Sequence, residues 1–251
     1  MTIFITGATA GFGKATAELF AKNGYNLILA GRRENRLNFI AKDLQSKYSI
    51  KVLTLCFDVR KLEDVKKAIA SLTQEWRNID ILVNNAGLAM GLSSIQEGNI
   101  DDWEIMIDTN IKGLLYMTRL ITPLMIEKQK GHIINIGSIA GKEVYANGNI
   151  YCATKHAVDA LNKAMRIDLL PHHIRVTAIN PGMAETEFSI VRFKGDEERA
   201  KKTYLGLKPL QAEDIAETIY WVATRPAHVN INDLIITPTV QANATTVIRK
   251  S

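Results

Sequence analysis

A chain of 251 residues, 47% hydrophobic and 23% charged, has the make-up of a globular protein with a sizeable core. Its net charge of +5 comes from scattered lysines and arginines with no aromatic-interleaved basic run, which argues against a nucleic-acid partner. No apolar run approaches the ~20 residues of a membrane span, and the two cysteines, Cys56 and Cys152, form neither a disulfide framework nor a metal cluster.

In chain order, Thr2 to Thr6 reads as a β-branched strand, with no room for a leader peptide ahead of it, so the expected setting is the cytosol. The turn Gly7-Ala8-Thr9-Ala10-Gly11-Phe12-Gly13 follows at once, then helical spacing through Ala15, Leu19 and Phe20 to a stop at Asn23-Gly24. Tyr25 to Ala30 is a second strand, ending in Gly31-Arg32-Arg33. A polar helix to Tyr48 carries Leu37, Ile40 and Leu44 on one stripe. Val52 to Phe57 is the third strand, closed by Asp58. A helix over Leu62 to Trp76 leads into a fourth strand at Ile79 to Val83 and then Asn84-Asn85-Ala86-Gly87. A long helical pattern from Asp101 to Glu127 is interrupted by Asn110, Gly113 and Pro123. The fifth strand, His132 to Ile136, ends near Ser138. The helix bearing Tyr151 and Lys155 is expected to run to Leu170 and stop at Pro171. Ile174 to Ile179 is the sixth strand, before Pro181-Gly182. A loop-rich insert spans 183–209, and the helix Ala212 to Thr224 and strand Leu234 to Ile236 close the core. The tail, 237–251, is polar.

Regular alternation of strand and helix implies right-handed crossovers and a parallel sheet. The expected fold is α/β: one domain over 1–251, a Rossmann-type doubly wound parallel sheet of about seven strands with helices on both faces.

Several motifs carry chemistry. The glycines of the first turn let the backbone approach a pyrophosphate, which the amides and dipole of the following helix would hold. About twenty residues later, where an acid would select NAD, stand Arg32 and Arg33; two guanidinium groups there select the 2′-phosphate of NADP. Asp58 and Val59 end the third strand on the same edge and are expected near the adenine. The small Ala86-Gly87 pair lets a cofactor pass closely. Asn110, a poor helix former inside a helical pattern, points to a local distortion or a bound water. Tyr151 and Lys155, four apart, lie one turn from each other on a helix face. A lysine ~4 Å from a phenol, at an effective dielectric of ~20, favours the phenolate by up to ~4 kcal/mol, or roughly three pKa units. Alone, a Tyr-x-x-x-Lys is most often a solvated helix face; here the preceding strand ends at Ser138.

Taken together, Thr6-Gly7-x-x-x-Gly11-x-Gly13, Asn84-Asn85-Ala86-Gly87, Asn110, Ser138, Tyr151-x-x-x-Lys155 and Pro181-Gly182 resemble the short-chain dehydrogenase/reductase family in order and over almost the whole chain. The stretches Thr186 to Ser189, Val191 to Asp196 and Pro226 to Ile231 look like the NADP-dependent 3-hydroxy acid dehydrogenases, also described as serine or L-allo-threonine dehydrogenases. The resemblance implies an NADP-dependent oxidoreductase acting on small 3-hydroxy acids, and a homotetramer built on the two long helices. It implies that Ser138 holds the substrate oxygen, Tyr151 takes the alcohol proton, Lys155 lowers the tyrosine pKa and holds the nicotinamide ribose, and Asn110 fixes a relay water. Gly7, Thr9, Gly11, Phe12, Gly13, Asn85, Ala86, Gly87, Pro181, Gly182, Met183 and Thr186 would surround the cofactor with Arg32, Arg33, Asp58 and Val59.

A substrate carboxylate needs a cation, for which Arg192 is the first choice, Lys194 the second and Lys142 a weaker one. The histidines lack metal-ligand spacing, and no metal is expected. Cys152 is expected to face the core, and the polar tail to dock on a neighbouring subunit. Two rival readings stay open: reduction of another carbonyl such as a 3-ketoacyl thioester, and a regulator that binds NADP without turnover. A panel setting small hydroxy acids against bulky ketones separates the first; the presence of both Tyr151 and Lys155 argues against the second.

Overall fold

The computed structural model describes residues 1–250. Its seven strands are β1 (Thr2–Thr6), β2 (Asn26–Gly31), β3 (Val52–Cys56), β4 (Ile81–Asn84), β5 (Gly131–Ile136), β6 (Ile174–Pro181) and β7 (Asp233–Ile236). They form one sheet in the order β3-β2-β1-β4-β5-β6-β7, with every pair parallel. The chain winds outward from β1 to β3, then returns to place β4 on the other side of β1. That reversal opens a crevice at the carboxyl ends of β1 and β4, where ligands bind in such sheets.

Strands buried on both faces need apolar residues at consecutive positions, which is what Ile3-Phe4-Ile5 and Leu27-Ile28-Leu29 supply. One face packs on α1 (Gly11–Lys22), α2 (Glu34–Lys47) and α9 (Ala212–Ala223); Phe20, Leu37, Leu44, Ile215 and Ile219 lie in that core. The other face packs on α3 (Leu62–Ala70), α5 (Leu114–Glu127) and α6 (Asn149–Asp168) through Val65, Met117, Ile121 and Val158.

Three expectations change. The third helix stops at Ala70, not Trp76, because the Thr73 carbonyl turns back to accept the Trp76 and Arg77 amides. The long helix is α4 (Ile100–Ile107) and α5 joined by a π-helical turn, Asp108–Gly113, which contains Asn110. The insert is partly helical, with α7 (Glu187–Arg192) and α8 (Glu197–Lys202). The tail, over residues 237–250, is held by contacts within the chain: the Met183 amide donates to Gln241, the Lys250 amide to Gly206, and Arg249 reaches the Leu205 carbonyl.

Candidate active site

The crevice is a cleft of about 680 Å³, and the predicted cofactor and catalytic residues line it, apart from Gly13 and Asn110. At its floor α1 begins at Ala10, which contributes no side-chain cap, and its first turn carries no acid. Uncapped amides with a positive dipole end suit an anion. Gly7 and Gly11 sit at φ +67° and +50°, where a side chain is strained. Gly13 serves packing instead: a Cβ there would collide with the Gly7 carbonyl. Asn85 spends its amide on the Thr6 carbonyl at 2.8 Å and the Gly7 carbonyl at 3.2 Å, so it shapes the turn. Thr6 adds to this by accepting the Asn85 and Ala86 amides on its hydroxyl.

On the adenosine side, Arg33 donates through Nε and Nη2 to the Thr9 hydroxyl at 3.0 and 2.8 Å, and through Nη1 to Glu187 at 2.8 Å. Arg36 also reaches Glu187, at 2.7 Å. Burial works against ionising Glu187, but the bonds from these arginines bring its carboxyl below the ordinary range. Asp58 is gripped by Arg60, whose bonds likewise outweigh burial and lower its carboxyl. Uncapped amides below, and arginines rather than an acid at the two positions directly after β2, make a donor set that fits a phosphorylated dinucleotide.

At the other end Ser138, Tyr151 and Lys155 come together. Ser138 follows β5 and accepts the Ala140 amide at 3.1 Å, which fixes its hydroxyl. Tyr151 and Lys155 are buried on α6. The Lys155 ammonium donates to the Ile136 carbonyl at 2.9 Å and stands 5.9 Å from the centre of the Tyr151 ring. Burial drops its pKa to about 8. Burial also pushes the Tyr151 phenol up, as does neighbouring Tyr145, while Ser138 and Arg192 pull it down. Asn110 lies behind: its amide donates to the Leu88 carbonyl at 2.8 Å and the Thr154 hydroxyl at 3.0 Å, and its Oδ1 accepts the Leu88 amide. The π turn aims that side chain across to the loop after β4.

The expected carboxylate contacts separate. Arg192 lines the cleft, its guanidinium 5.5 Å from the Tyr145 ring and 5.7 Å from the Tyr151 ring. Lys194 is turned away into an adjoining hollow of about 260 Å³, paired with Asp102 at 2.9 Å. Lys142 is committed to Asp159 and Asp233 outside the cleft, because two carboxylates hold its charge more firmly than open solvent. Both lysines are corrected on that ground. Sequence reasoning passed over Tyr145 and Phe188, which wall the Tyr151 ring, and Gln241, whose residue type in a polar tail carries no signal. Cys152 is buried, as expected, and no cluster of metal-ligating side chains occurs among the described residues.

The short chain dehydrogenase family model matches residues 1–197. The chain is a short-chain dehydrogenase. The dehydrogenase is 49% identical over 252 residues to an NADP-dependent 3-hydroxy acid dehydrogenase of Salmonella typhi, covering 100% of both chains. It is 45% identical to a serine 3-dehydrogenase of Rhizobium radiobacter, over 97% of this chain and 96% of that one. Among solved structures, the closed form of a serine dehydrogenase complexed with NADP+ superposes with a TM-score of 0.93 at 47% identity, covering 100% of both chains.

Proposed function

We infer that this dehydrogenase transfers a hydride between NADP(H) and a small 3-hydroxy acid such as serine, allo-threonine or 3-hydroxypropionate. The observation that carries the substrate class is the anchoring of Arg192. Its carbonyl accepts the Gly91 amide at 2.9 Å and its Nε donates to the Gly91 carbonyl at 3.1 Å, so the rest of the guanidinium is presented beside Tyr151. A carboxylate there would place a hydroxyl two carbons along at the phenol, while Phe188, edge-on to Tyr151 at 5.6 Å, limits bulk.

When bound, NADP supplies the hydride acceptor. Its pyrophosphate would be held by the α1 amides and its 2′-phosphate by Arg32 and Arg33. Ser138 holds the substrate oxygen, and the Tyr151 phenolate takes the hydroxyl proton as the carbon–hydrogen bond breaks, leaving a 3-oxo acid. Lys155 and Asn110 then connect that proton toward solvent. Holding the carboxylate and hydroxyl at once fixes the reacting carbon.

A panel of serine, allo-threonine, 3-hydroxypropionate and bulky alcohols with NADP and NAD, read at the reduced nicotinamide band, tests the assignment. Turnover of the small acids with NADP is expected; if none of them reduces NADP, the substrate class is wrong. Arg192→Ala is expected to raise KM for the acids ~10- to 100-fold, the worth of a charge-assisted hydrogen bond, with KM for a neutral alcohol unmoved.

The further parts of this reading are a homotetramer and the cytosol. Leu115 on α5 and Ile167 on α6 are exposed apolar residues on the two long helices, which supports assembly through them. The free cysteines accord with a reducing compartment, and no helix of the described residues is long and apolar enough to cross a membrane.

A further inference from the structure

We propose that Arg192 is a positioning residue for proton transfer as well as a carboxylate contact, favouring the ionised form of Tyr151 from α7. The proposal rests on Tyr151 acting as the base, and deepens the reading of the same site.

The argument begins with the groups that face the Tyr151 ring. From α6 come Lys155, 5.9 Å from the ring centre, and Cys152. From the segment before α6 comes Tyr145, from the end of β5 Ser138, and from α7 Arg192 at 5.7 Å. Phe188 covers a further side and is uncharged. Asp102, an acid lining the adjoining hollow, is engaged by Lys194. Two cations therefore stand at nearly equal distance from the centre of the Tyr151 ring, and Lys155 is only one of them.

The two differ in how they hold their charge. Lys155 is buried, donates to a backbone carbonyl, and has its pKa brought down to about 8. A guanidinium does not lose its proton in proteins. Arg192 is also fixed in place: Gly91 holds both its backbone and its Nε, so no ordering is needed when the phenolate forms. Gly91 can turn for this because it sits at φ +68°. Tyr145, stacked beneath the same guanidinium at 5.5 Å, completes the clamp.

Arg192 comes from the insert, not from α6. The base is thus completed by the segment that receives the substrate, and α7 links the two ends of the cleft, since its first residue, Glu187, is the partner of Arg33 and Arg36.

The test is a pH profile of turnover with a neutral secondary alcohol, which has no carboxylate for Arg192 to hold, together with an ultraviolet titration of tyrosinate in the NADP complex, corrected by subtracting Tyr151→Phe. Arg192→Gln is expected to move both the acidic limb of kcat/KM for alcohol oxidation, where activity rises as Tyr151 ionises, and the Tyr151 titration up by ~1 pH unit or more, as a charge about 6 Å away at an effective dielectric of ~20 requires. Arg192→Lys is expected to recover most of that shift. An unchanged profile and titration in Arg192→Gln, with KM raised for acids alone, would overturn the proposal and leave Arg192 as a carboxylate contact only. If Tyr151→Phe itself keeps its turnover, the base assignment fails first, and the proposal with it.

Discussion

Tyr151 is buried, and burial pushes its phenol up, away from the range in which it can act as a base. The phenol is therefore governed by what surrounds one oxygen: Ser138 and Arg192 favour its ionised form, while burial and Tyr145 oppose it. The Tyr-x-x-x-Lys spacing accounts for Lys155 but places its ammonium 5.9 Å from the ring centre rather than in direct contact, bonded to the Ile136 carbonyl. Tyr151→Phe removes the proton acceptor and little else. Its kcat is expected to fall ~10²- to 10⁴-fold, the usual worth of a general base, while NADPH binding, followed by quenching or energy transfer of the nicotinamide fluorescence, stays close to that of the parent. Retention of turnover would move the base elsewhere.

At the scale of elements, function sits where strands end and helices begin. The turn from β2 to α2 presents Arg32 and Arg33 on the cleft, and Arg33 is already oriented by Thr9 from the glycine-rich turn. A guanidinium set in this way loses less freedom on meeting a phosphate than a solvated one. Replacing both by alanine is expected to weaken NADP binding ~100-fold or more and NAD binding by less than about threefold, since charge-assisted bonds are worth ~1.5–3 kcal/mol each. Calorimetric titration of both nucleotides decides it, and equal losses would contradict the phosphate assignment. The π turn is the second such element. Asn110 pairs with both backbone groups of Leu88 and with Thr154, a residue of the Tyr-x-x-x-Lys stretch itself, so the loop after β4 and the catalytic helix are locked in one register.

At the scale of the molecule, a row of buried amides crosses the sheet: Asn84 donates to Thr118 and Asn135, Asn135 to Asn162, and Asn162 to the Asn232 carbonyl. It ties α5, two central strands and α6 to the segment before β7. His132, buried on β5 against Thr177, has its pKa lowered to about 3 by burial, with Arg175 adding to the effect. Folding holds it neutral while an unfolded chain protonates it near ~6.5. Stability from this residue is therefore complete above pH ~6.5 and is lost as pH falls from there toward 3. Thermal melts between pH 7 and 4 should fall less steeply for His132→Gln than for the parent; parallel curves would remove His132 as the cause. Light scattering of the purified chain is expected to give four times the monomer mass, and a monomer would refute assembly through α5 and α6.

Much of this was legible along the chain. Strand, helix and the order of the glycine turn, Asn84 to Gly87, Ser138 and Tyr151-x-x-x-Lys155 follow from local periodicity and from glycine and proline placement, which depend on near neighbours in sequence. Arg32 and Arg33 are readable for the same reason, since their distance from the glycine turn is set by one strand and one helix. Other features depend on contacts between distant segments. Lys194 and Lys142 look as available as Arg192 in the sequence; only packing brings Asp102 to the first and Asp159 with Asp233 to the second. The sequence of the tail shows only polarity, whereas in the fold Gln241 is buried as the acceptor of the Met183 amide, 58 residues earlier. Local pattern determined the fold and the Tyr151–Lys155 pair, and long-range pairing of charges and backbone groups decided which cation was left to line the cleft.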